Sequence, residues 1–170
     1  MLQINFYPES DKREDIKAAE EYQDIWDKEG VKIVTAIEKY SNLTFKIKII
    51  KALVFEGASS SNPLKLRNSY SFDIKRSTLI HELIHILLRD NNIKIPGKIN
   101  FKEDLHKVIY LILYDVWVDL FGKNLAMVSK DKECVINLVY KKAWSWALSF
   151  PKEERMVKFQ EMKKKYQKNI

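Results

Sequence analysis

The sequence predicts an α+β fold, in which a small N-terminal mixed sheet with an edge strand next to a histidine-bearing helix precedes a helical C-terminal half. Short runs of alternating or β-branched residues lie in the first 72 positions, and helical periodicity dominates after them. The length of 170 residues and the hydrophobic content of 46% fit one domain that spans residues 1–170.

The predicted strands are separated by one long helix and one loop. Residues 2–7 alternate apolar and polar side chains, residues 44–55 are rich in Ile, Val and Phe, and residues 64–72 alternate again. Residues 10–40 carry an apolar stripe at helical spacing, with an expected interruption at Gly30. The sheet is therefore expected to be small and to lie in the N-terminal part of the chain.

The rest of the chain predicts helices. They are expected at about residues 77–90, 101–122, 131–149 and 152–167, with Gly122 closing the second and Pro151 dividing the last two. The apolar run 105–121 approaches the length of a membrane span, but its ionisable residues favour a buried core helix. No membrane partner is therefore expected.

Composition bears on partners and on compartment. The net charge of +7 comes mainly from lysines scattered along the chain, which is typical of a solvated surface and disfavours a nucleic-acid partner. Cys134 is the single cysteine, so no disulfide can form within the chain. The first residues show no secretion-signal pattern. These features predict a cytoplasmic protein.

The polar residues His81, Glu82 and His85 interrupt a helix that is otherwise nearly all Ile and Leu. Burying them is costly unless they find partners. Because residues i and i+4 share a helix face, His81 and His85 can bind one ion, and Glu82 can accept a proton from a metal-bound water. This is the HExxH pattern of zinc hydrolases, the zincins, and Zn²⁺ is the expected cofactor.

A catalytic zinc site needs a third protein ligand. Between positions 108 and 121, only Asp115 and Asp119 are neither apolar nor aromatic, and they too are spaced i, i+4. Buried carboxylates are usually paired or bind metal, so both are expected to face the HExxH helix across the ion. His106 competes for this role from the opposite face of the same helix. The pattern favours Asp115.

HELIH followed by a carboxylate on a later helix resembles the gluzincin metallopeptidases and, by size, their minimal single-domain forms, the minigluzincins. The resemblance implies a zinc-dependent endopeptidase acting on a peptide or protein, with Glu82 as general base. It implies that His81, His85 and Asp115 bind zinc and that Asp119 supports a zinc-bound histidine. The family has Glu where this chain has Asp115, so the second helix would have to approach the ion more closely.

The resemblance also concerns the strand before the HExxH helix. In such enzymes this strand lines the cleft as an edge to which an extended substrate binds. Its residues Leu66, Asn68 and Tyr70 are therefore the expected substrate contacts.

Alternatives to this interpretation remain. The metzincin pattern does not fit, because Leu88 and Asn91 stand where it requires Gly and His. With His106 as third ligand, the chain resembles the SprT-like DNA-linked proteases. The protein could also be a zinc-stabilised binding module, or a latent zincin whose cleft is filled by its own C-terminal segment. Glu82 favours an enzyme, because a structural zinc site has no use for a base.

Overall fold

A computed structural model describes residues 2–95 and 100–167 of the chain. Its strands are β1 (Gln3–Pro8), β2 (Ile49–Phe55), β3 (Ser60–Ser61) and β4 (Leu64–Arg67). They form one sheet in the order β1-β2-β4-β3, in which β1–β2 and β2–β4 are parallel and β3–β4 are antiparallel. The predicted small mixed sheet is confirmed.

The helices account for most of the remaining described residues. They are α1 (Arg13–Ser41), α2 (Phe72–Asp90), α3 (Phe101–Phe121), α4 (Lys123–Ile136), α5 (Leu138–Ala147) and α6 (Lys152–Tyr166). Five of the six follow the sheet, so the predicted helical C-terminal half and the α+β class are also confirmed. Among the described residues, none of the helices is long and apolar enough to span a membrane.

Helix α1 differs from its prediction because it continues through Gly30. A Cβ atom at this position would lie only 2.9 Å from Cδ2 of Trp26 in the preceding turn. The glycine therefore makes room for the Trp26 ring and does not break the helix. The helix ends at Ser41 and is capped by Asn42, whose N–H donates to the Glu38 carbonyl and whose left-handed backbone (φ 51°) turns the chain out of the helix.

The helix predicted at 131–149 is in fact parts of two helices, α4 and α5, separated by Asn137. The Asn137 side chain accepts a hydrogen bond of 2.8 Å from the Val139 N–H and so caps α5. Gly122 precedes α4 with a φ of 83°, a left-handed conformation that glycine adopts without strain. These two turns fold α4 and α5 back against α3, which contacts both.

The edge strand next to the HExxH helix is β3, not the strand predicted for that role. β4 pairs with β2 on one side and with β3 on the other, so β4 is internal. Arg89 of the HExxH helix α2 donates a hydrogen bond of 2.8 Å to the Ser61 carbonyl of β3. The short hairpin of residues 60–67 therefore places the edge beside α2.

Helices α2 and α3 lie at the centre of the core. Residues 108–113 of α3 are all fully buried, as are Leu79, Ile80 and Leu83 of α2. The Trp117 indole of α3 donates a hydrogen bond of 3.3 Å to the Ser77 carbonyl of α2. Because these two helices pack directly on each other, polar side chains on their facing sides are forced together.

Candidate metal centre

Three histidines converge between α2 and α3. Ligand nitrogens of His81, His85 and His106 all lie within 4.8 Å of one another. His81 and His106 are buried and His85 is half-buried. The chain has no other histidine, so its whole complement of imidazoles is gathered at one point of the core.

His81 and His85 stand one turn apart on the same face of α2. Their Nε2 atoms are 3.0 Å apart, and their rings are stacked with centroids 5.0 Å apart. Two nitrogens bound to one tetrahedral zinc, with bonds of about 2.0–2.1 Å, would be separated by roughly 3.3 Å. The pair is therefore arranged with nearly the spacing that a shared ion requires.

His106 joins this pair from the first half of α3. Its Nδ1 lies 2.6 Å from the Lys102 carbonyl oxygen one turn earlier. A carbonyl can only accept, so Nδ1 carries the proton and Nε2 keeps its lone pair. The ring centroid of His106 lies 5.3 Å from that of His81 and 5.1 Å from that of His85.

Glu133 of α4 orients His81. Its Oε1 lies 2.6 Å from Nδ1 of His81, and its Oε2 accepts a hydrogen bond of 2.9 Å from the Trp144 indole. Burial opposes the charged form of each partner, but the opposite charges outweigh it: the pKa of His81 is raised and that of Glu133 is lowered. A carboxylate in this place fixes the ring of a metal-binding histidine and makes it a better ligand.

The other two histidines are held neutral. Burial, followed by the nearby charge of His81, places the pKa of His85 well below its usual value. The same two causes lower the pKa of His106 to about 3. Since a metal binds the unprotonated nitrogen, both rings are in the form that a ligand needs.

Asp115 does not join the histidines, contrary to the prediction. Its two carboxylate oxygens accept hydrogen bonds from Arg155 of α6, of 2.9 Å from Nε and 2.7 Å from Nη2. Asp115 follows His106 by nine residues, two and a half turns of helix, and therefore faces the opposite side of α3. A buried carboxylate does require a partner here, but the partner is a guanidinium group and not a metal.

Asp119 is also wrongly assigned by the prediction. Its side chain is exposed and lies 3.0 Å from Nζ of Lys39 on α1. The carboxylate that contacts His81 is Glu133 and not Asp119. No motif marks Glu133 in the sequence, because α4 meets α2 only in the folded chain.

A cavity of about 410 Å³ opens beside the three histidines. Glu82 lines it, and burial raises the pKa of this carboxyl to about 7. Other lining residues come from the hairpin of residues 60–67, from the segment between β4 and α2, and from α4 and α5; they include Ser60, Ser61, Arg67, Tyr70, Ser129, Lys132, Glu133 and Tyr140. The cavity is thus large enough for a side chain or a short peptide segment next to the imidazoles.

Of the three expected substrate contacts, only Tyr70 lines this cavity. Leu66 is fully buried in the core, and the Asn68 amide donates to Asp15 of α1. Leu66 lies on β4, which is internal to the sheet, and Asn68 directly follows β4 and is turned toward α1. The predicted substrate roles of Leu66 and Asn68 are therefore not supported.

The donor set is one that could hold a metal ion such as zinc. Three imidazoles are a recognised set of protein ligands for such an ion, which keeps its fourth position open. Within residues 2–95 and 100–167, the only group of three or more metal-binding side chains that converges in this way consists of these three histidines. The cavity beside them leaves room for a water and a substrate at the fourth position.

Comparisons with known proteins do not assign the chain to a family. No family model matches it, and no curated protein and no solved structure is significantly similar to it. The site is therefore interpreted from its own geometry.

Proposed function

We propose that the protein is a zinc-dependent metallopeptidase in which His81, His85 and His106 hold the ion and Glu82 is the general base. The observation that carries the proposal is the convergence of the three imidazoles at the wall of a cavity that Glu82 also lines. HELIH supplies two ligands and the base in one helical turn. The third ligand is His106 in place of Asp115.

A zinc ion bound there would supply Lewis-acid activation, which brings the pKa of a water to about 7 and polarises a substrate carbonyl. Glu82 takes the proton from the attacking water and later returns it to the leaving amine. Without an ion, burial raises the pKa of the Glu82 carboxyl to about 7. A bound zinc cation would favour the ionised carboxylate, which is the form that accepts a proton.

The remaining residues of the cavity position the reacting groups. Glu133 keeps His81 in one tautomer and one orientation through its 2.6 Å contact with Nδ1. The Tyr140 ring packs against His106 with centroids 4.5 Å apart, and Tyr140 also lines the cavity. We assign its hydroxyl as a hydrogen-bond donor to the oxyanion that forms on the substrate.

The substrate in this proposal is a peptide or protein segment in extended form. Strand β3 is the edge of the sheet, and its residues Ser60 and Ser61 line the cavity. An extended peptide can add to such an edge through main-chain hydrogen bonds. The substrate-binding role predicted for residues 64–71 is thus assigned to β3 in this proposal.

The lone Cys134 supports a cytoplasmic location as part of the same proposal.

Zinc analysis and a peptide-library cleavage assay on the purified protein test the proposal. We expect close to one zinc per chain and cleavage that stops with chelator and returns with zinc. The Glu82→Gln variant should keep its zinc and lose about 10²- to 10⁴-fold in cleavage rate, because only the base is removed. The control is Glu103→Gln, a change on α3 at a residue paired with Lys107 outside the cavity.

The outcome of this assay separates an enzyme from a metal-stabilised binding module. A Glu82→Gln protein that holds zinc and cleaves as fast as the parent contradicts the mechanism. Parent protein that holds zinc but cleaves no peptide of the library favours the binding module, since a structural zinc needs no base.

A second candidate is a protease that acts on DNA-linked proteins. The use of His106 as third ligand gives the resemblance to SprT-like proteases its support, and the net charge of +7 is compatible with DNA. Cleavage that is stimulated by duplex DNA at low salt, and that loses this stimulation as salt rises, would favour this function. Cleavage that is indifferent to DNA would exclude it.

A further inference from the structure

One wall of the cavity carries positive charge and an unused hydroxyl that the proposed catalysis does not employ. Lys132 and Ser129 of α4 and Arg67 of β4 all line the cavity. They are separate from the histidines and from Glu82, and no step of peptide hydrolysis requires them. Their presence therefore calls for another explanation.

Lys132 is a half-buried cation at this wall of the cavity. Among the described residues, no carboxylate lies within 4.0 Å of its Nζ, which instead sits 4.0 Å above the centre of the Tyr70 ring. Burial, followed by the charge of Arg67, lowers the pKa of Lys132. Burial and the neighbouring positive charge both disfavour the charged ammonium form of Lys132. An anion bound in the cavity would offset both effects.

Ser129 adds a second, independent sign of a missing partner. It is 2% exposed, and within the part of the chain that the structure describes its Oγ has no hydrogen-bond partner. A buried hydroxyl without a partner has lost its hydrogen bonds to water and gained none in return, so such groups are uncommon unless a water or ligand completes them. Ser129 lies one helical turn before Lys132 on α4, so both can serve one ligand in the cavity.

Arg67 and Tyr70 complete this wall from the opposite side. The Arg67 guanidinium lies 5.4 Å from the centre of the Tyr70 ring and pairs with Glu56 at 2.8 Å. The Tyr70 ring thus lies close to two cations and gives the wall an apolar surface. Arg67 contributes positive potential to the cavity although its own counter-charge is Glu56.

We propose that the cavity recognises a carboxylate of its peptide ligand, bound by Lys132 with a hydrogen bond from Ser129. This inference rests on the proposed function and names its substrate class: peptides that carry an acidic side chain or a free C-terminal carboxylate near the reacting bond. The net charge of +7 favours the approach of such peptides over long distances.

The experiment measures binding, so it does not depend on cleavage. Zinc-loaded Glu82→Gln protein is immobilised and exposed to a randomised octapeptide pool, half amidated and half with a free C-terminal acid, and bound peptides are sequenced by mass spectrometry. We expect about tenfold enrichment of one carboxylate class. Enrichment of Asp and Glu at a fixed position indicates a side chain, and enrichment of the free-acid half indicates a C-terminus.

Three additional substitutions in the same background make the test specific. Lys132→Met should abolish the enrichment, whereas Lys123→Met, which removes an exposed lysine from the same helix, should leave it unchanged. Ser129→Ala should reduce the enrichment about three- to tenfold. It should keep or raise the melting temperature, because the Ser129 hydroxyl makes no hydrogen bond to the described residues that the substitution could remove. A merely structural serine would not show this combination.

Two results would overturn the inference. The first is that the bound peptides show no enrichment of carboxylates. The second is that Lys132→Met and Lys123→Met lose the enrichment equally, which would mean that the net charge of the protein, and not the cavity, selects the peptides. The proposed function fails separately, when the parent protein cleaves no peptide. Carboxylate enrichment in a protein that does not cleave would leave this inference standing as a binding property.

Discussion

Glu133 and His81 join helices α4 and α2 through a contact of 2.6 Å between Oε1 and Nδ1, and this contact fixes which nitrogen of His81 faces the other two histidines. The Trp144 indole holds the second oxygen of Glu133 from α5. Three helices thus fix the orientation of one imidazole. The geometry of the candidate metal centre therefore depends on packing far outside HELIH.

The first prediction concerns this contact. Changing Glu133 to Gln replaces the charged acceptor with a neutral one, so zinc affinity should fall by roughly 10- to 100-fold without being abolished. Competition with a chromogenic chelator measures the affinity, and Glu103→Gln serves as the matched control. Unchanged affinity in Glu133→Gln would show that the contact does not support metal binding.

The third zinc ligand can be identified by comparing His106 and Asp115. His106→Ala should lose most of the zinc, because two imidazoles alone bind the ion weakly. Asp115→Asn should keep the zinc, since its partner is Arg155 and not the metal centre. Zinc content per chain after dialysis is the measurement. A protein that loses zinc with Asp115→Asn and keeps it with His106→Ala would restore the original sequence prediction.

The ion pair between Asp115 and Arg155 should be important for stability. Both side chains are buried, 4% and 8% exposed, so Arg155→Met leaves an uncompensated buried carboxylate. We expect the free energy of unfolding to fall by about 3–5 kcal/mol, with partial recovery when Asp115→Leu is added. Urea unfolding gives both values. A double variant no more stable than Arg155→Met would show that the stranded charge is not the cause.

Tyr140 provides a kinetic test of the proposed oxyanion donor. Tyr140→Phe removes only the hydroxyl, so zinc content should stay at the parent level while kcat falls about 10²- to 10³-fold and KM changes little. Steady-state kinetics on the best library peptide give both constants. An unchanged kcat would remove Tyr140 from the mechanism and leave the zinc ligands untouched.

The side-chain cap of α5 by Asn137 should contribute to the stability of the protein. Asn137→Ala removes the acceptor for the Val139 N–H and should destabilise the protein by about 0.5–2 kcal/mol, whereas Asn137→Asp should retain most of the stability. Thermal or urea unfolding measures the difference. Equal losses in both variants would mean that the side-chain cap is not what Asn137 contributes.

The parts of the fold that depend on local periodicity could be predicted from the sequence. The alternating and β-branched runs identified β1, β2 and β4, whereas β3 lies in residues expected to form a loop. The histidines spaced four apart on an apolar helix identified one side of the site. The break at Asn137 was missed because the pattern around it is helical on both sides, and only the cap chemistry of one asparagine divides it.

The remaining parts of the site depend on which faces of distant helices meet. The sequence correctly signalled that a carboxylate in an apolar helix needs a partner, but it could not choose between an ion and Arg155, which lies 40 residues later. Helical spacing correctly placed His106 and Asp115 on opposite faces of α3. The prediction then chose Asp115 as the ligand, although its face turns toward α6. Lys132, Glu133 and Tyr140 carried no motif, because each acquires its role only when α4 and α5 fold over the cavity.

Helix α6 is tied to the core through the pair of Asp115 and Arg155, which has a consequence for truncation of the chain. None of the described residues that line the cavity belongs to α6, so trimming the chain at Pro151 would remove no described part of the cavity wall. It would instead strip Asp115 of its guanidinium partner and expose the side of α3 opposite His106. Removal of the C-terminal segment would therefore destabilise the core behind the three histidines, and we do not expect it to activate the protein.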